Sequence, residues 1–247
     1  MRRAEQTGIA AIVVAILASG HAVAAQTPSW RDRGYVHVSG VLQPSATFSN
    51  TVKPLDFAEP SVVDTTYKPG SIPGFDAGGG VRVWRNLAVG IDVSWVSKTA
   101  AGTVSAQIPH PFFFNRPRAV SGDTPGLSRD ETALHLQALW MMPMRRRWQL
   151  ALAGGPSWFT VGQDVVGDVT IAQAYPYDTA TFASAIIVHR SRSRIGFNAG
   201  ADVTYRLRPH VGVGAGLLFS RASIPLDDTL TVDAGGARLS GGLRFRF

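Results

Sequence analysis

The residues best suited to chemistry are His189 and Ser191, in the run His189-Arg190-Ser191. Alternate residues of an extended strand point the same way, so imidazole and hydroxyl can meet as base and nucleophile. Such a pair needs an acidic group to orient the base, and the sequence singles out none. The same spacing recurs at His37-Val38-Ser39, so the motif selects weakly. A polar strand end is the plainer reading, and no catalytic residue is assigned. A second set is charged: Asp76, Arg82, Asp92, Asp202, Arg206, Arg238, Arg244 and Arg246, set among Gly, Ala and Ser. Behind one wall these predict a closed network of acid–Arg pairs, or the lining of a small anion-favouring pore. A third is Phe112, Phe113 and Phe114, flanked by Pro and Arg. It reads as a plug or hydrophobic contact surface, or as side chains packed inside the rim of extended strands. Tyr175-Pro176-Tyr177-Asp178 is similar. His37, His110, His135, His189 and His210 lack ligand spacing, so no metal is expected, and no cofactor either.

These groups are positioned by a repeated period of two. Ala237, Leu239, Gly241, Leu243, Phe245 and Phe247 share one face of the terminal segment; Arg238, Ser240, Gly242, Arg244 and Arg246 share the other. Such a strand suits a wall between lipid and a polar lumen. Segments near 35–48, 75–83, 87–95, 134–142, 148–158, 195–205 and 211–220 alternate in the same way. In the first of them Val36, Val38, Gly40 and Leu42 are set outward, and His37, Ser39 and Gln43 inward. Elsewhere the apolar face carries no Asp, Glu, Lys or Arg, as expected where a lipid-facing Arg or Lys costs roughly 2–4 kcal/mol. Connections are short near 84–86, 143–147 and 207–210, and long at 49–72, 98–129, 160–194 and 221–230. The prediction is an all-β, eight-stranded antiparallel up-and-down transmembrane β-barrel with three turns and four loops. Trp140, Trp148, Tyr205, Phe245 and Phe247 near the turns, and Trp95, Trp158 and Phe219 near the loops, predict two aromatic girdles. A soluble barrel would need a polar exterior, and the corresponding face here is mostly Gly and Ala.

Arg2 and Arg3, an apolar run from 9 to 18 and small residues to Ala25 predict a secretory signal peptide over 1–25. The run is too short to span about 30 Å of hydrocarbon. Residues 26–247 are then one barrel domain. The sequence has no Cys, so neither a lipidated N-terminus nor a disulfide scaffold is expected. Removing Arg2, Arg3 and Glu5 from 24 basic and 17 acidic residues leaves 22 and 16, a net +6. With export and scattered Arg, anionic lipid is the better counterpart for that charge, and no nucleic acid partner is expected.

The alternation, with the terminal Arg244-Phe245-Arg246-Phe247, resembles the small outer-membrane β-barrel superfamily of OmpA-, OmpX- and opacity-type proteins. No OmpA-like peptidoglycan-binding domain follows the barrel, so tethering to the cell wall is not implied. The resemblance implies an outer-membrane monomer with both termini periplasmic, in contact with outer-membrane lipid and lipopolysaccharide. Leu243, Phe245 and Phe247 would be the assembly signal read by the barrel-assembly machinery, after delivery by periplasmic chaperones. It implies a structural or surface-interaction role through four extracellular loops, whose ligand the sequence leaves open, and no enzymatic activity. One alternative is a narrow pore or carrier for small or hydrophobic solutes, gated by Phe112, Phe113 and Phe114. Another is a lipid A-modifying hydrolase, because some barrels that deacylate lipid A use a His-x-Ser pair with an acidic residue on the outer rim.

Overall fold

The computed structural model describes residues 31–44, 48–144, 147–226 and 230–247, so the expected signal peptide at 1–25 lies outside the described residues. The strands in chain order are β1 (Gly34–Pro44), β2 (Phe48–Val52), β3 (Leu55–Asp56), β4 (Glu59–Pro60), β5 (Val62–Tyr67) and β6 (Ser71–Trp84). Then come β7 (Leu87–Ile108), β8 (Arg118–Pro143), β9 (Trp148–Gln173), β10 (Ala180–Arg206), β11 (Val211–Pro225) and β12 (Thr231–Arg246). Eight of these, β1 and β6 to β12, pair antiparallel with their neighbours in one closed ring. β1 closes the ring on β12, from Tyr35 opposite Arg246 to Leu42 opposite Leu239. Closure leaves no free strand edge within that ring, the condition for crossing lipid with strands.

The outer face carries the apolar set expected from the period-two pattern: Val36, Val38, Val89, Ile91, Val93, Leu134, Leu136, Val203, Leu217, Leu239 and Leu243 are all exposed. Aromatics rim both margins. Trp84, Trp140, Trp148, Phe245 and Phe247 stand at the turn end, and Phe75, Trp95, Trp158, Phe197 and Phe219 toward the loop end. Several meet in pairs, including Trp148 with Tyr205 at 4.9 Å and Phe75 with Trp95 at 5.4 Å between centroids. Trp148 and Trp158 lie ten residues apart on β9. A tilted strand climbs about 25 Å over that length, the height of a membrane's apolar band.

The long connections are corrected in one respect. Segments 98–129 and 160–194 are mostly strand, with turns near 109–117 and 174–179, because β8, β9 and β10 run 26, 26 and 27 residues. Past the aromatic rim the polarity of the two faces inverts, while the same parity of β7 stays buried. Val104, Ala106 and Ile108 of β7 point inward and are buried, while Thr103, Ser105 and Gln107 are exposed. Water replaces lipid outside, so the hydrophobic effect moves to the concave face. β5 pairs with the far end of β7 and β2 pairs with β5, giving a projecting sheet in the order β2-β5-β7-β8; the far ends of β9 and β10 pair with each other as a separate ribbon, since β8 and β9 are paired only as far as Arg129 opposite Gln163. Val63, Tyr67, Val104, Ile108, Val120, Leu127 and Val166 form the core between them.

β11 and β12 do not follow β10 outward: their hairpin bends over the lumen. β12 turns at Gly235 and Gly236, whose φ values of 84° and 124° suit glycine and strain other residues. Ile224, Leu226, Val232 and Ala234 then pack on inward-facing Phe159, Val161 and Ala133 of β9 and β8. The result is an apolar cap across the loop end of the barrel.

Candidate functional site

Polar groups fill the lumen in two levels below that cap. At the upper level Arg238 is 2% exposed. It pairs with Glu131 and donates to Ser94 Oγ, and its Nε donates to Gln43 Oε1 at 2.6 Å. Gln43 Nε2 passes the chain on to the Gly235 carbonyl at 2.8 Å, while the Gly235 N–H donates to both Glu131 oxygens at 3.0 Å. His135 lies beside this group, with Nδ1 2.7 Å from Ser157 Oγ and Nε2 3.2 Å from Ser94 Oγ. The lumen is therefore filled at this height by hydrogen-bonded side chains and closed above by hydrocarbon.

The lower level holds His37, Asp76, Asp92, Asp202 and Arg244 around a cavity of about 90 Å³. Arg244 Nη2 lies 2.5 Å from Asp202 Oδ2, and its Nη1 donates to Ser39 Oγ at 2.6 Å. His37 Nε2 lies 2.7 Å from Asp92 Oδ2 and 3.6 Å from Asp76 Oδ1. Below, at the turn end, Arg246 Nη1 stands 3.9 Å from Asp32 Oδ2. Arg206 and Arg82 share that rim, where the Arg82 N–H donates to the Arg33 carbonyl at 2.8 Å. Sequence reasoning listed these charges without their partners. It set His37 and Gln43 inward without including them or His135 in the charged network, and it missed Glu131, although Glu131 has the inward parity of His135 and a longer strand would have caught it.

Leu243, Phe245 and Phe247 face outward, and the Phe247 main chain is bonded to Gly34 in both directions, at 3.0 and 3.2 Å. Phe112, Phe113 and Phe114 stand at the tip of the β7–β8 turn, 67%, 52% and 70% exposed, so they do not pack within the rim. Phe112 meets Tyr177 of the β9–β10 turn at 5.5 Å, and Arg116 stacks on Phe113 at 5.4 Å. Buried Arg118 staples the two turns: its guanidinium donates to the carbonyls of Pro109 at 2.8 Å and Tyr177 at 3.0 Å, and to Gln173 Oε1 at 2.6 Å. Burial lowers the pKa of that guanidinium from its ordinary value, and three acceptors hold it in place.

On the outer face, just beyond the upper girdle, His189 and Ser191 share one side of β10. The missing acidic partner is Asp164 of β9, whose Oδ1 lies 2.8 Å from His189 Nδ1. Register places His189 opposite Asp164 and Ser191 opposite Gly162. The Ser128 N–H donates to Asp164 Oδ2 at 3.0 Å and fixes the carboxylate.

A closed ring, apolar and aromatic outside and polar within, defines a transmembrane β-barrel. No family model matches the sequence, and no curated protein matches it. Among solved structures, the outer-membrane protease OmpT from Escherichia coli aligns over 89% of this chain and 98% of its own, with TM-score 0.51 and 8% identity. Neisserial surface protein A aligns over 87% and 97%, with TM-score 0.48 and 15% identity. Ail of Yersinia pestis, the attachment invasion locus protein, aligns over 88% and 100%, with TM-score 0.39 and 12% identity. The structural neighbours are outer-membrane β-barrels, and at these identities the likeness is one of architecture.

Proposed function

We propose that this is an outer-membrane protein, exported by the segment 1–25, with termini and short turns periplasmic and the projecting sheet outside the cell. Its role is contact with other surfaces. The observation that carries this reading is the tip: Phe112, Phe113 and Phe114 are exposed on turns held rigid by Arg118, at the far end of a sheet standing clear of the membrane. Exposed aromatics in water mark interaction sites, and a preorganised tip loses little entropy on binding. The terminal residues Leu243, Phe245 and Phe247 are the signal for the assembly machinery, and lipopolysaccharide surrounds the outer girdle. The test compares cells displaying the protein with cells displaying Phe112→Ser/Phe113→Ser/Phe114→Ser. Sedimentation of cell suspensions and retention on an epithelial monolayer should fall several-fold with surface levels unchanged; equal retention rejects the tip as the contact.

The rim group favours a second reading. Asp164 on Nδ1 leaves His189 Nε2 available to take the Ser191 proton as the hydroxyl attacks an ester carbonyl of a lipid and to return it to the alcohol that leaves; water, activated by the same imidazole, then releases the fatty acid from Ser191. Ester hydrolysis of outer-leaflet lipid that disappears in Ser191→Ala, with folding retained, supports it; unchanged lipid on cells overproducing the protein rejects it.

A further inference from the structure

His37, Asp76 and Asp92 come from three adjacent strands, β1, β6 and β7, and converge at one height inside the barrel. One ligand atom from each lies within 4.8 Å of the others. The convergence depends on Gly78, which is paired with both His37 and Asp92; a Cβ there would stand 2.7 Å from Asp92 Oδ2. Charge is unbalanced within the cluster. Two enclosed carboxylates share one imidazole, while Arg244, the cation of the same level, is turned to Asp202 and Ser39. Among the described residues no donor hydrogen-bonds buried Asp76 Oδ1, which is costly for an enclosed carboxylate oxygen. The cavity borders all three side chains and has room for water beside them.

We propose that this cluster binds one divalent first-row transition ion inside the barrel, through His37 Nε2 and one oxygen each of Asp76 and Asp92, with water from the cavity completing the shell. The ion supplies the missing positive charge and gives the orphaned Asp76 oxygen a partner. One imidazole with two carboxylates is a donor set that Zn²⁺ or Mn²⁺ accepts, whereas Mg²⁺ prefers an all-oxygen shell rich in water. Tetrahedral bonds of about 2.0–2.2 Å set donor atoms about 3.4 Å apart, so His37 Nε2 and Asp92 Oδ2, now 2.7 Å apart, must separate to admit the ion, whereas the 3.6 Å between His37 Nε2 and Asp76 Oδ1 already suits it. Three neighbouring strands would then be joined on the lumenal side by one ion, independently of the tip.

The experiment uses the refolded barrel in detergent after chelator treatment, with folding followed by heat-modifiable gel mobility. Titration with ZnCl₂ in a calorimeter should give one site per chain with micromolar or tighter affinity, not displaced by millimolar Mg²⁺. CoCl₂ should give visible d–d absorption bands, which report nitrogen in the shell. Asp76→Asn, which keeps shape and removes charge, should weaken Zn²⁺ at least tenfold; His37→Gln should also abolish the Co²⁺ bands. His189→Ala, which removes the exposed Asp164–His189 pair, should change neither. Absence of Zn²⁺ binding to the folded parent, or equal binding in Asp76→Asn, overturns the proposal and leaves His37 as a plain bridge between two acids. If His37→Gln does not fold, the folded Asp76→Asn protein decides the matter.

Discussion

Arg238 and Glu131 make the most deeply buried ion pair among the described residues, and Glu131 has a second cation in Arg129, 3.7 Å away. Removing one partner weakens the charge balance of a buried site, at a cost of up to about 3–5 kcal/mol. Arg238→Ala should therefore lower the urea midpoint of the barrel in lipid vesicles strongly, and Glu131→Leu should do the same. The double variant Glu131→Leu/Arg238→Met should cost clearly less than the two singles added together, since the two charges leave together and only Arg129, 3.7 Å from Glu131, loses a carboxylate. It should not reach parental stability, because the Gly235 N–H loses its acceptor. Additive losses would mean that the pair contributes through packing alone. The His189–Asp164 pair differs: its imidazole is exposed, so its loss should scarcely alter stability.

At the scale of a strand, what matters is depth. Ile91 lies midway along the apolar stretch of β7, between Leu87 at the turn end and Trp95 at the upper girdle, and is exposed to lipid. Ile91→Arg should cost about 2–4 kcal/mol and block folding into vesicles, as judged by heat-modifiable mobility. Phe245→Arg, at the girdle beside the turns, should cost about 0–1 kcal/mol in the folded barrel and act mainly on assembly in cells. A reversed ranking would show that the band has been placed at the wrong height. The period-two pattern made eight strands legible because lipid is unforgiving of charge on one face. It failed beyond the girdle, where β7 to β10 continue with small polar residues outward and Val104 and Ile108 inward. Those stretches obey the rule for a water-washed sheet, and a rule tuned to lipid took them for loops.

For the whole molecule, the lumen decides between scaffold and pore. Arg238, His135 and Gln43 occupy the middle of the barrel, and Phe159, Val161, Ile224 and Val232 close it above. The refolded protein should be silent in a planar bilayer at 100 mV. Discrete, reproducible openings would show that the β11–β12 hairpin moves and would restore the carrier reading. The tip and the lumenal ion cluster are separated by this seal, so binding at one should leave the other unchanged.

The amino-acid sequence alone determined which side of each strand meets lipid, how many strands close the ring and where the girdles fall. All of that follows from local alternation and from the price of a charge in hydrocarbon. The meetings across the lumen were decided only by tertiary structure. His37 meets Asp92 from 55 positions away, and Arg238 meets Glu131 from 107. Asp164 reaches His189 because β9 and β10 continue as paired strands past the membrane. Each of these contacts is set by the hydrogen-bond register carried around a closed ring, a global quantity that no period along one strand contains.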